Sequence, residues 1–119
     1  MRLTFPRSRR LLTAQEFNQV FKQPIKAPGP TLILLARPNS LTYPRLGLAI
    51  TKKAHKRAVE RNRIRRIIRE SFRSHQERLP GLDIVAVSRK GGREQEVERL
   101  QQCLEQQWLK LIKQFNGLS

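Results

Sequence analysis

The chain has 119 residues, the length of one domain, and carries 25 Lys and Arg against 9 Asp and Glu, a formal excess of +16. Self-repulsion of that size destabilises a compact fold until a polyanion neutralises it, so the composition points to nucleic acid, an anionic membrane surface or an acidic protein as partner. Its 38% hydrophobic content falls in dense runs that argue against disorder, and the single Cys103 excludes an internal disulfide.

Met1–Arg10 reads as a basic arm with Arg2, Arg7, Arg9 and Arg10. No apolar stretch of signal-peptide length follows Met1–Phe5, and the longest apolar run, Leu32–Ala36, is too short to cross a bilayer. Thr13-Ala14-Gln15-Glu16 has the capping-box pattern and opens a helix with Phe17, Val20 and Phe21 on one stripe. Pro24, Pro28, Gly29 and Pro30 leave room for a short edge strand at most. Thr31–Arg37 reads as a strand buried on both faces. Arg45–Thr51 alternates: Leu46, Leu48 and Ile50 make a large-residue face for a core. Gly47, Ala49 and Thr51 make a small-residue face open to close approach. A helix is expected from about Ala58 to about Gln76, a strand over Asp83–Arg89, a break at Gly91-Gly92, and an amphipathic helix from Glu94 to Phe115. Helix, strands, helix, strand, helix is an α+β order, read as a two-layer domain spanning residues 1–119.

The charge is localised. Between Lys52 and Arg73 stand Lys52, Lys53, Lys56, Arg57, Arg61, Arg63, Arg65, Arg66, Arg69 and Arg73, opposed by Glu60 and Glu70 alone. Within the helix, Ile64, Ile67, Ile68, Ser71 and Phe72 follow the helical period toward a core. Arg61, Arg65 and Arg69 stack at i, i+4, i+8, with Asn62, Arg66 and Arg73 beside them. Like charges at that spacing cost roughly 0.2–0.5 kcal/mol per pair, a penalty that phosphates would relieve. Arginine outnumbers lysine 17 to 8, and its planar fork suits phosphate and bases. The expectation is an RNA-contact surface.

No protein active site emerges. His55 and His75 lie among arginines and read as surface or phosphate-contacting residues, and Cys103 as a buried, inert thiol. Asp83 is the sole aspartate, so a two-metal carboxylate site has little support. Trp108 and Phe115 belong to the apolar stripe of the last helix.

The stretch Arg45–Arg73, RLGLAITKKAHKRAVERNRIRRIIRESFR, resembles the protein subunit of bacterial ribonuclease P, through Lys52-Lys53, Ala58-Val59, Arg61-Asn62-Arg63, Arg65-Arg66 and Arg69-Glu70. The likeness extends to the Leu-Thr-x-x-x-Phe helix near the start and to DIVAVSRKG, with Arg65 standing where lysine is commoner. The resemblance implies an α-β sandwich with a left-handed β-α-β crossover, against the right-handed rule. It implies a cytoplasmic subunit of a holoenzyme that removes the 5′ leader of precursor tRNA, the RNA being the magnesium-dependent catalyst. Lys52, Lys53, Lys56, Arg57, Arg61, Asn62, Arg63, Arg65, Arg66 and Arg69 would then face the catalytic RNA. A cleft with Phe17, Phe21, Leu35 and Ala49 would take the single-stranded leader, stacking bases on aromatic planes. From the residues alone, Phe17 and Phe21 read first as core that fastens the helix to a sheet, and it is the small residues Gly47, Ala49 and Thr51 together with the resemblance that bring the cleft level with that reading. Leu35 and Ala49 replace an aromatic residue and a serine found in some relatives, which makes a less aromatic, less polar floor. A ribosomal or RNA-chaperone clamp and a DNA-binding helix are the competing readings, and neither a membrane nor DNA is expected as partner.

Overall fold

The computed structural model describes residues 7–11, 13–89 and 97–117. After a 3-10 turn at Arg7–Arg9 come α1 (Ala14–Phe21), β1 (Ile25–Pro28), β2 (Leu32–Pro38), β3 (Arg45–Ala49), α2 (Ala58–His75), β4 (Leu82–Ser88) and α3 (Leu100–Asn116). The α+β order is therefore a helix, three strands, a helix, a strand and a helix. The first six residues of the basic arm, the Gly91-Gly92 break and the expected start of the last helix at Glu94 lie outside the described residues.

The strands form one mixed sheet in the order β1-β2-β4-β3. β1 pairs antiparallel with β2, β2 antiparallel with β4, and β3 parallel with β4. The last strand made is thus inserted between β2 and β3, and α2 is the crossover that a parallel pair requires. The outer edge of β3 is partly covered by the arm: Arg10 bridges Leu46, and the Leu11 N–H donates to Leu46 O at 2.9 Å.

Side-chain alternation divides the sheet into two unequal faces. Leu34, Ala36, Ile84, Ala86 and Leu46 point into the main core. There α2 contributes Ile64, Ile68 and Phe72, and α3 contributes Leu100, Leu104, Trp108 and Leu111. Phe72 and Trp108 meet edge to face at 6.0 Å, and Trp108 Nε1 donates to Ser71 Oγ at 2.8 Å. Gln107 is buried too, its amide donating to Ala27 O and Leu32 O at 2.7 and 3.1 Å and so tying α3 to the β1–β2 hairpin.

The opposite face carries α1 and a smaller cluster of Leu11, Val20 and Val85, edged by Phe17, Leu35, Ala49 and Val87. This corrects the expectation that Thr31–Arg37 is buried on both faces. Leu32, Leu34 and Ala36 are fully buried, whereas Ile33 and Leu35 are half-buried. One helix of eight residues cannot cover the second face as two longer helices cover the first.

Candidate nucleic-acid interface

β3 ends at Ala49, and the chain turns through Lys52–Arg57 into α2. Thr51 fastens that turn: its N–H donates to Ser88 Oγ at 3.0 Å, and its hydroxyl accepts from the Ala54 N–H at 3.3 Å. Lys52, Lys53, Lys56 and Arg57 are all exposed on it. His55 is the exception and corrects the surface reading given to it. It is 2% exposed, its Nδ1 lies 3.1 Å from Glu60 Oε1, and its Nε2 has no partner among the described residues. His75 is half-buried, with Nδ1 donating to Ser71 O at 2.7 Å.

Arg61 is also not the free cation its spacing suggests. It is half-buried, and its Nη1 donates to His55 O at 2.9 Å and to Lys56 O at 2.8 Å, so it buckles the turn onto the helix. Arg65 Nη1 donates to the neutral Asn62 Oδ1 at 3.1 Å, and among the described residues no carboxylate pairs with it. Arg63, Arg66 and Arg69 are exposed and have no ion-pair partner among the described residues. The two carboxylates of α2 are already engaged, Glu60 with His55 and Glu70 with Arg73. The arginine edge therefore faces outward and is not neutralised by α2's own glutamates.

Two shallow grooves flank this edge. One, about 310 Å³, is lined by Asn62, Arg65, Arg66, Arg69 and Glu70. The other, about 290 Å³, is lined by Arg10, Leu11, Phe17, Leu46, Gly47, Leu48, Arg65 and Arg69. Arg65 and Arg69 belong to both, so the basic edge of α2 and the α1 side of the sheet form one continuous surface.

On that second side Phe17, Leu35 and Ala49 come together, but Phe21 does not join them and is 44% exposed. The close approach expected at the small-residue face is made from within the chain. A Cβ on Gly47 would lie 2.7 Å from the Phe17 ring and 3.1 Å from Leu11 Cβ. Phe17 is thus seated on the sheet as well as bordering the groove, while Phe21 stands clear of it.

Sequence reasoning missed the ion pairs that hold α1. Arg45 donates through Nε and Nη2 to the two Asp83 oxygens at 2.8 and 2.6 Å, and its Nη1 reaches Glu16 Oε2 at 3.1 Å. Asp83 Oδ1 also accepts from Asn39 Nδ2 at 2.9 Å. The hydrogen bonds to Asp83 hold Arg45 more firmly protonated than a free guanidinium, against the opposing effect of burial. A raised folded-state value means that the pair's contribution is present below the ordinary arginine range and lost only above it, so it does not titrate through Arg45 near neutrality. The available signal was thin: the sole aspartate is the second residue of β4, and arginines stand next to the end of β2 and at the start of β3.

Cys103 is half-buried, more open than expected. Among the described residues there is no cluster of three or more His, Cys, Asp or Glu able to hold a metal ion, and no helix long and apolar enough to cross a membrane.

Residues 5–112 match the family model described as Ribonuclease P. The chain is 49% identical over 114 residues to the ribonuclease P protein component of Edwardsiella ictaluri, covering 96% of each chain. Its fold is similar to that of the Staphylococcus aureus RNase P protein, with a TM-score of 0.76 at 27% identity over 88% of this chain and 95% of that one. It is also similar to the RNase P protein of Thermotoga maritima, with a TM-score of 0.67 at 28% identity over 88% of this chain and 96% of that one.

Proposed function

The chain belongs to the ribonuclease P protein family, and from that premise we propose how its two sides divide the work of maturing tRNA 5′ ends. As a protein component it partners the ribonuclease P RNA. In our reading the Lys52–Arg57 turn and the outer side of α2 bind that RNA, and the groove beside α1 takes the single-stranded 5′ leader of precursor tRNA. The observation that carries this is the exposed row Arg63, Arg66 and Arg69, which has no ion-pair partner among the described residues and is continuous through Arg65 and Arg69 with the groove at Phe17. The N-terminus of α2 adds its own attraction for phosphate, since Arg57 supplies no side-chain cap to the first free N–H groups.

The polypeptide's share of the reaction is binding and orientation. The arginines neutralise phosphates, and Phe17 and Phe21 offer ring faces to unpaired bases. In this reading magnesium would supply the hydrolytic chemistry and would be held mainly by the RNA. The whole chain then acts as one RNA-binding domain of the cytoplasm, with no call on DNA or membrane, and the α2 crossover takes the left hand that the resemblance implies.

The test is cleavage of precursor tRNA by the catalytic RNA with and without this chain. Tighter leader binding and activity at lower magnesium are expected, and no change in either sinks the reading. Engagement of about 6–10 phosphates also predicts a loss of about 10³–10⁵ in RNA affinity between about 50 and 200 mM salt.

A further inference from the structure

An isolated helix as short as the eight residues of α1 does not persist in water, and Val20 is its one fully buried side chain. Its pose is set from outside, by one arginine at each end. At the N-terminal end Arg45 holds Glu16 Oε2 at 3.1 Å while gripping Asp83 with its other nitrogens. At the C-terminal end Arg37 Nη1 donates to Gln19 O at 3.2 Å and Lys22 O at 3.1 Å, where the last carbonyls and the helix dipole favour a cation.

The register makes this a single device. Arg37 lies opposite Asp83, and Asp83 opposite Arg45, so the three side chains form a row across β2, β4 and β3 on the face that α1 covers. Between the two anchors the Phe17 ring rests on Gly47, a position with no side chain to hold the ring laterally. We infer that Arg37 and Arg45 are positioning residues for the leader: a bracket that sets the height and rotation of α1, and through it where Phe17 and Phe21 present their rings. The inference rests on the reading that the leader lies beside α1. Both arginines thereby act through the helix and not by touching RNA.

Two variants open the bracket while leaving α2 untouched. Glu16→Gln keeps a carbonyl for the Thr13 N–H of the capping box but turns an amide toward Arg45, and Arg37→Ala removes the C-terminal anchor. In the reconstituted holoenzyme, binding is compared for a precursor with a leader of about ten nucleotides, within the span of a single-stranded site, and for one trimmed to a single nucleotide. Each variant is expected to lower the long-leader advantage by about fivefold, near the lower end of one base stack, and the double variant by more. Affinity for the catalytic RNA and for the trimmed precursor stays unchanged. An equal fall for both precursors overturns the bracket, because that is a general loss of structure. An unaltered long-leader advantage also overturns it, provided that Phe21→Ala, at an exposed ring, still reduces that advantage. If Phe21→Ala has no effect either, the leader reading itself fails and the bracket falls with it.

Discussion

Around α1, arginines are bound to the protein's own groups; along the outer side of α2, most are not. Arg45 is shared between Asp83 and Glu16, and Arg37 between two helix carbonyls. Arg63, Arg66 and Arg69 find neither a carboxylate nor a carbonyl among the described residues. The same residue type thus does opposite work on two sides of one sheet. A guanidinium with satisfied donors fixes geometry, whereas a row with unsatisfied charge raises the energy of the free protein and lowers it again when phosphate arrives. Position on the arginine-rich stretch does not by itself decide which kind a residue is. Arg61 sits in the ladder, yet its bonds belong to the first kind.

Substitutions can break or sharpen this contrast. The largest effect on stability is expected at Phe72→Ala, which empties the core behind the basic edge and should cost about 3–5 kcal/mol in denaturant unfolding. Next, Arg65→Ala with Arg66→Ala and Arg69→Ala should leave unfolding within about 0.5 kcal/mol. Affinity for the catalytic RNA should fall roughly a hundredfold near 0.1 M salt, with a shallower salt slope in a binding titration. A large loss of stability in that triple variant would erase the distinction between the two regions. Gly47→Ala should destabilise by about 1–3 kcal/mol, because the new methyl meets Phe17 and Leu11, and calorimetry would read it as a lower Tm. Arg61→Ala should cost about 1 kcal/mol through two lost carbonyl bonds, and amide exchange should quicken in the Lys52–Arg57 turn, which marks it as a structural member of the ladder.

What could be read from the chain was what is local. The capping box is the clearest case: Thr13 and Glu16 are three residues apart, and both reciprocal bonds form at 3.0 and 3.1 Å. The stripe Ile64, Ile67, Ile68, Ser71 and Phe72 likewise needs only the helical period; four of the five are buried, and Ile67 is half-buried against the core. The Arg45 bonds to Asp83 and Glu16 span 38 and 29 positions and depend on strand register, which no local pattern encodes. His55 was misread for a related reason. Its burial follows from how the turn folds back over Glu60 and Arg61, not from its charged neighbours in sequence. At the candidate site the basic edge was legible as a periodic row. Phe17 and Phe21 share that period, so their different fates, one seated on Gly47 and one exposed, had to come from the sheet.

The insertion of β4 between β2 and β3 bears on synthesis. Each arginine of α2 is made before the strand that joins the two halves of the sheet, so a chain emerging from the ribosome carries its full basic segment before the sheet beneath it is closed. Completion waits for Leu82–Ser88 to thread between β3, whose paired residues lie 38 positions earlier, and β2, whose paired residues lie 44 to 56 earlier, a non-local closure that slows folding. In that interval a polycation is displayed beside abundant nascent and ribosomal RNA.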